Sequence, residues 1–85
     1  MVISSLVVET LPEQTQAVVE RLRSTGGVEV HSVEEGYKIV ITIEAETVDA
    51  SHSIANGILL VEGVIGVDLI YLNFEDDKTI YPDGV

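Results

Sequence analysis

Few residues in this chain have the types and spacing that catalytic or metal chemistry needs. The two histidines, His31 and His52, fall on different predicted elements and form no metal-ligand spacing. Glu44 and Glu46 could be imagined as a general acid and base. In a chain with fifteen acids, however, paired carboxylates are far more often a solvated rim. Ser4 and Ser5 lack a nucleophile elbow and a histidine in any nearby predicted turn. The glycines form no phosphate-cradling loop, which would also want arginine or lysine beside it. With no cysteine, disulfides, thiolate metal sites and thiol nucleophiles are all excluded. The expectation is a protein that is not an enzyme and needs neither cofactor nor metal.

What remains is binding, and charge narrows the partners. Fifteen acids against four bases give a formal charge of −11 on 85 residues. Such a surface repels nucleic acid and anionic lipid, and it draws cationic partners through long-range attraction. A 46% apolar content and a mean hydropathy of +0.34 argue for a folded chain rather than a disordered one. The length suits one small domain. The N-terminus lacks a basic n-region followed by a long apolar run, and the longest apolar run, Ile58 to Val61, is far too short to span a bilayer. A cytoplasmic protein with no membrane span is expected.

The elements that must position a binding surface read as follows. Ile3 to Glu9 is a β-rich run closed by Leu11-Pro12, and apolar residues on both of its faces predict a central strand. Thr10 is a candidate cap for a helix starting near Pro12, with Leu11, Val18, Val19 and Leu22 as its apolar stripe and Gly26-Gly27 as its stop. Val28 to Val33 and Tyr37 to Ile43 alternate around Glu34-Glu35-Gly36, as a hairpin does. Thr47 is the next cap, ahead of a helix whose stripe is Ala50, Ile54, Ile58 and Val61, ending at Gly63. Val67 to Phe74 is the last strand, and the stretch from Glu75 onward reads as a loose acidic tail. The chain therefore divides into a domain over 1–74 and a tail over 75–85.

This order is βαβ twice, which predicts an α+β, ferredoxin-like βαββαβ sandwich. Right-handed crossovers give an antiparallel sheet of order 4-1-3-2 with both helices on one face. Alternation assigns Leu6, Val8, Val28, Val30, Ile39, Ile41, Ile43, Val67, Leu69 and Tyr71 to the covered face. The other face then collects Ile3, Ser5, Val7 and Glu9, then Glu29, His31 and Val33, then Lys38, Val40, Thr42 and Glu44, and finally Asp68, Ile70, Leu72 and Phe74. On it, Ile3, Val7, Val40, Ile70 and Leu72 form an apolar patch bordered by Glu9, Glu44 and Asp68. An exposed apolar patch rimmed by charge marks an interaction surface, for a partner or for a second copy, unless the tail from Glu75 folds back over it.

Three stretches also resemble a known family. Ser5-Leu6-Val7-Val8, then Ile39-Val40-Ile41 running into Glu44-Ala45-Glu46, then Val61-Glu62-Gly63-Val64 leading to Val67 and Tyr71 are similar to NapD, the cytoplasmic assembly chaperone of the periplasmic nitrate reductase. The resemblance runs from about Ile3 to Tyr71. One departure is Leu72, where family members carry histidine after the tyrosine. The resemblance implies a ferredoxin-like fold that binds the twin-arginine signal peptide of the reductase's catalytic subunit and delays export until cofactor insertion is complete. NapD itself would contain no cofactor.

Strand alternation then supplies the expected peptide-binding residues: Ile3, Ser5, Val7, Glu9, Val40, Glu44, Asp68, Ile70 and Leu72. The apolar members would take one side of a bound helix and the acids its arginines. The protein would act as a monomer or weak dimer. Two other functions share this element order. One is a small-ligand regulatory domain of the ACT type, using the glycines at Gly26-Gly27 or Gly63. The other is a self-associating structural domain whose open faces stack.

Overall fold

The computed structural model describes residues 1–74, with side chains through Tyr71; the expected acidic tail lies outside the described residues. Four strands, β1 (Val2–Thr10), β2 (Val28–Glu34), β3 (Lys38–Ala45) and β4 (Val64–Phe74), form one sheet ordered β2-β3-β1-β4. Each neighbouring pair is antiparallel. The helices are α1 (Thr15–Arg23), preceded by a 3₁₀ turn at Pro12–Gln14, and α2 (Val48–Leu59). This is the 4-1-3-2 ferredoxin-like arrangement, read from the other edge.

Strict alternation on β1 builds the core. Val2, Ser4, Leu6, Val8 and Thr10 are buried, while Ile3, Ser5, Val7 and Glu9 are half-exposed. Ile39, Ile41 and Ile43 of β3 are fully buried beside them, and Val18, Val19 and Leu22 of α1 and Ile58 of α2 close over the same face. All the helical cover lies there, and no described element covers the opposite face. Burial of each large aliphatic side chain contributes roughly 1.5–3 kcal/mol.

The ends of the elements follow local chemistry. Thr47 caps α2, its hydroxyl accepting from the Ala50 amide at 3.0 Å. Thr10 does not cap α1, contrary to expectation. It is buried, and its hydroxyl pairs with that of Thr15 at 2.7 Å. Thr15 Oγ1 also donates to the Gly36 carbonyl at 2.9 Å, so the start of α1 is tied to the β2–β3 turn. That turn is tight because Glu35 and Gly36 both take positive φ, 55° and 79°, the conformation of a favoured hairpin turn.

Three register shifts correct the alternation expected for the edge strands. In β2 the shift falls between Val30 and Ser32, so Ser32 rather than Val33 pairs with Val40, and Val33 pairs with Ile39 of the covered face. In β4, Leu69 pairs with Leu6 but Tyr71 pairs with Ser5, leaving Ile70 as the extra residue. A bulge of this kind turns every later residue to the other face. Tyr71 therefore leaves the expected core and shares a row with the open face. Leu72 and Phe74 pair with Ser4 and Val2, residues of the covered face. The third shift, between Glu9 and Thr10, makes Ile65 an extra residue in the same way. Leu69, also expected in the core, lies at the outer edge and is 57% exposed.

Candidate binding face

The open face is a set of cross-strand rows. One row runs Ser32, Val40, Val7, Asp68; the next runs Glu29, Thr42, Ser5, Tyr71; a third joins Glu44 to Ile3. Directly opposed side chains in such rows have Cβ atoms about 4.5–5.5 Å apart. Val40 and Val7 therefore touch at the centre, with Ile3 beyond Ser5 along β1. Ile70 and Tyr71, at 60% and 59% exposure, extend the apolar surface to the β4 edge. Three inter-strand gaps of roughly 4.8 Å make the face about 14 Å across, enough to seat a helix about 10–12 Å in diameter.

Charge is unevenly spread around this surface. At one end Lys38 lies in register between Glu9 and Glu34, and its ammonium is 3.8 Å from the Glu35 carboxylate and 5.4 Å from the Tyr37 ring. The acid at Glu9 is thus offset by a base beside it. At the other end Glu29 and Glu44 flank a cavity of about 210 Å³, lined also by Gly27, Val28 and Thr42, with no base among the lining residues. Gly27 is required there. Its φ is +83°, and a Cβ would lie 2.8 Å from the Glu44 carbonyl, whose amide donates to the Gly27 carbonyl at 2.7 Å. The backbone approach sets the two acids at the mouth of the cavity. Asp68, exposed, marks the third acidic point, at the end of the Val40–Val7 row.

Of the residues expected to bind, Ile3, Ser5, Val7, Glu9, Val40, Glu44 and Asp68 share one face, and Ile70 sits at the bulge bordering it. The side chain of Leu72 is outside the described set, and its register position belongs with the covered face. Two residues left out of the expected site enter it. Glu29 faces the cavity opposite Glu44, a partnership set by the β2–β3 register. Tyr71 enters through the bulge, for which the run Leu69-Ile70-Tyr71 gives no glycine as a signal. His31, at the β2 bulge, lies on the same face, with Nε2 2.9 Å from Thr42 Oγ1.

Other candidate chemistry is accounted for by structure. Ser4 is buried and its hydroxyl pairs with that of Ser51 at 3.0 Å. Gly63 has a φ of +97°, and a Cβ there would meet Gln14 at 2.6 Å, a packing reason for the glycine that involves no ligand. No group of three or more His, Cys, Asp or Glu side chains among the described residues could hold a metal ion. No described helix is long and apolar enough to cross a membrane.

Comparison with known proteins adds an independent line. The family model described as NapD protein matches residues 1–76. No curated protein sequence matches the chain. Among solved structures, the Escherichia coli Tat proofreading chaperone protein NapD superposes with a TM-score of 0.77 at 26% identity, covering 94% of this chain and 85% of that one. TTHA0845 from Thermus thermophilus gives 0.76 at 26%, covering 96% and 99%. The hypothetical protein PHS023 from Pyrococcus horikoshii gives 0.76 at 17%, covering 96% and 100%, a likeness of fold alone.

Proposed function

Because this chain belongs to the NapD family, we propose that its open sheet face binds the twin-arginine signal peptide of the periplasmic nitrate reductase catalytic subunit. Family membership and the likeness to a Tat proofreading chaperone support a chaperone role in maturation of that enzyme. Acting in the cytoplasm, the protein holds the precursor back from export until cofactor insertion is complete.

The observation that supports this reading is an apolar surface that no described element covers, bounded by Glu29, Glu44 and Asp68 with no base in register beside them among the described residues. A twin-arginine leader offers the complement, a cationic segment joined to an apolar stretch able to form a helix. Val7, Val40, Ile3, Ile70 and Tyr71 take the apolar side. Glu29 and Glu44 receive one guanidinium at their cavity, bidentately where the planes align, and Asp68 attracts the other. Ser5, in the row between these groups, leaves space for a close approach. Glu9, offset by Lys38, contributes little. Exposed ion pairs are each worth about 0–1 kcal/mol, so apolar contact sets affinity while the acids set encounter rate and orientation.

Titration of the purified protein with the signal peptide, followed by calorimetry or fluorescence, tests the reading. Wild type binds one peptide per chain, and Val7→Asp weakens binding at least about tenfold, a loss of about 1.4 kcal/mol. Unchanged affinity in Val7→Asp would place the peptide elsewhere.

A further inference from the structure

The two edges of the sheet are protected unequally. β2 presents Glu29, His31 and Glu34 to solvent and is kinked by its bulge, both devices that discourage strand addition. β4 is longer, pairs among the described strands with β1 alone, and over Val64–Tyr71 carries a single charge, Asp68. Ile65, Leu69, Ile70 and Tyr71 are 59%, 57%, 60% and 59% exposed along it. Behind Leu69, a groove of about 180 Å³ opens between β4 and α2, walled by Ala55, Leu59 and Val67. Leu59 is itself 49% exposed.

We propose that β4 pairs antiparallel with β4 of a second copy of this chain, joining two sheets edge to edge. Unpaired edge N–H and C=O groups are matched by another extended strand. Charge selects which strand. Two chains of −11 repel each other across most of their surfaces, and the repulsion is least where each presents this charge-poor run. A two-fold centre at Leu69 sets each Asp68 across from Ile70 of the other copy, so the carboxylates do not oppose one another. With that axis perpendicular to the sheet, all four helices lie on one side. Leu59 and Leu69 from each copy then meet over the seam and close the two grooves against each other. The bulge at Ile70 lies beside that centre, so the regular pairing is short and the association concentration-dependent. Val7, Val40, Ile3 and the Glu29–Glu44 cavity stay uncovered, and the pairing does not depend on the peptide reading.

Sedimentation analysis from about 1 µM to about 1 mM, a span that covers association of about 8 to 4 kcal/mol, tests the pairing. Wild type passes from the mass of one chain to that of two. Leu69→Lys, at a half-exposed site outside the peptide face, moves the midpoint at least about tenfold higher while melting as a folded protein and keeping its peptide affinity. Leu59→Lys, on α2, moves it in the same direction and guards against a strand-specific folding defect. Val7→Lys, on the open face, leaves it unchanged. A mass of one chain throughout the range overturns the proposal. So does loss of association in Val7→Lys with retention in Leu69→Lys, which would mean that open faces stack.

Discussion

Val40 and Ile41 are neighbours on β3 and belong to different problems. Ile41 is fully buried under the helices, whereas Val40 is half-exposed on a face that no described element covers. On β1 the same division separates Leu6 and Val8 from Ile3 and Val7. On β1 both faces carry apolar residues, whereas β3 sets Ile39, Ile41 and Ile43 against Lys38, Val40, Thr42 and Glu44; one face is closed by α1 and α2 and the other ends in acids. An apolar residue on the covered face is accounted for by folding alone. On the open face it gains nothing comparable until a partner arrives, and this is the physical ground for reading that face as a binding surface.

Substitutions should therefore separate the faces by readout. The largest effect is expected for Ile41→Ala, which leaves a cavity in the core and costs about 2–5 kcal/mol of stability by denaturant unfolding; its folded fraction still binds peptide as wild type does. Val40→Asp breaks the comparison from the other side. Peptide affinity falls about tenfold, about 1.4 kcal/mol, while stability changes less than it does in Ile41→Ala. If Val40→Asp instead unfolded the protein and left affinity intact, the distinction between the faces would fail.

Thr47→Ala sharpens it further. Loss of the cap bond to Ala50 costs about 0.5–2 kcal/mol in thermal or denaturant melts, with no change in peptide affinity, because α2 lies on the covered side. Smallest is the effect of neutralising the acids. Glu29→Gln and Glu44→Gln each reduce affinity by about 0–1 kcal/mol. The loss is measurable at low ionic strength and fades near 1 M salt, where the screening length is about 3 Å. An effect larger than that of Val40→Asp would mean that ion pairing, not apolar contact, dominates.

The central strands were legible in the sequence because their alternation is uninterrupted. Ile3, Ser5, Val7 and Glu9 could be assigned to one face by counting, and Val40 and Glu44 likewise. The edge strands were less so. A bulge adds one residue, and Val30-His31-Ser32 and Leu69-Ile70-Tyr71 carry no glycine to announce it. Counting therefore carried Tyr71 into the core and Leu72 onto the open face. The Glu29–Glu44 pairing was also hidden, since it depends on how β2 registers against β3 and on the close approach of Gly27 to the Glu44 carbonyl. The element order and the cap at Thr47 needed only local chemistry. The role of Thr10 needed the tertiary contact with Thr15 and Tyr37, which no local pattern reports.

The most direct measurement is a map of backbone amide chemical shifts as signal peptide is added to the isotope-labelled protein. The account predicts saturable shifts at Ile3, Val7, Val40, Glu44 and Asp68, with the amides of α1 from Val18 to Leu22 unmoved. Shifts concentrated on α1 and α2, with the open face silent, would contradict it.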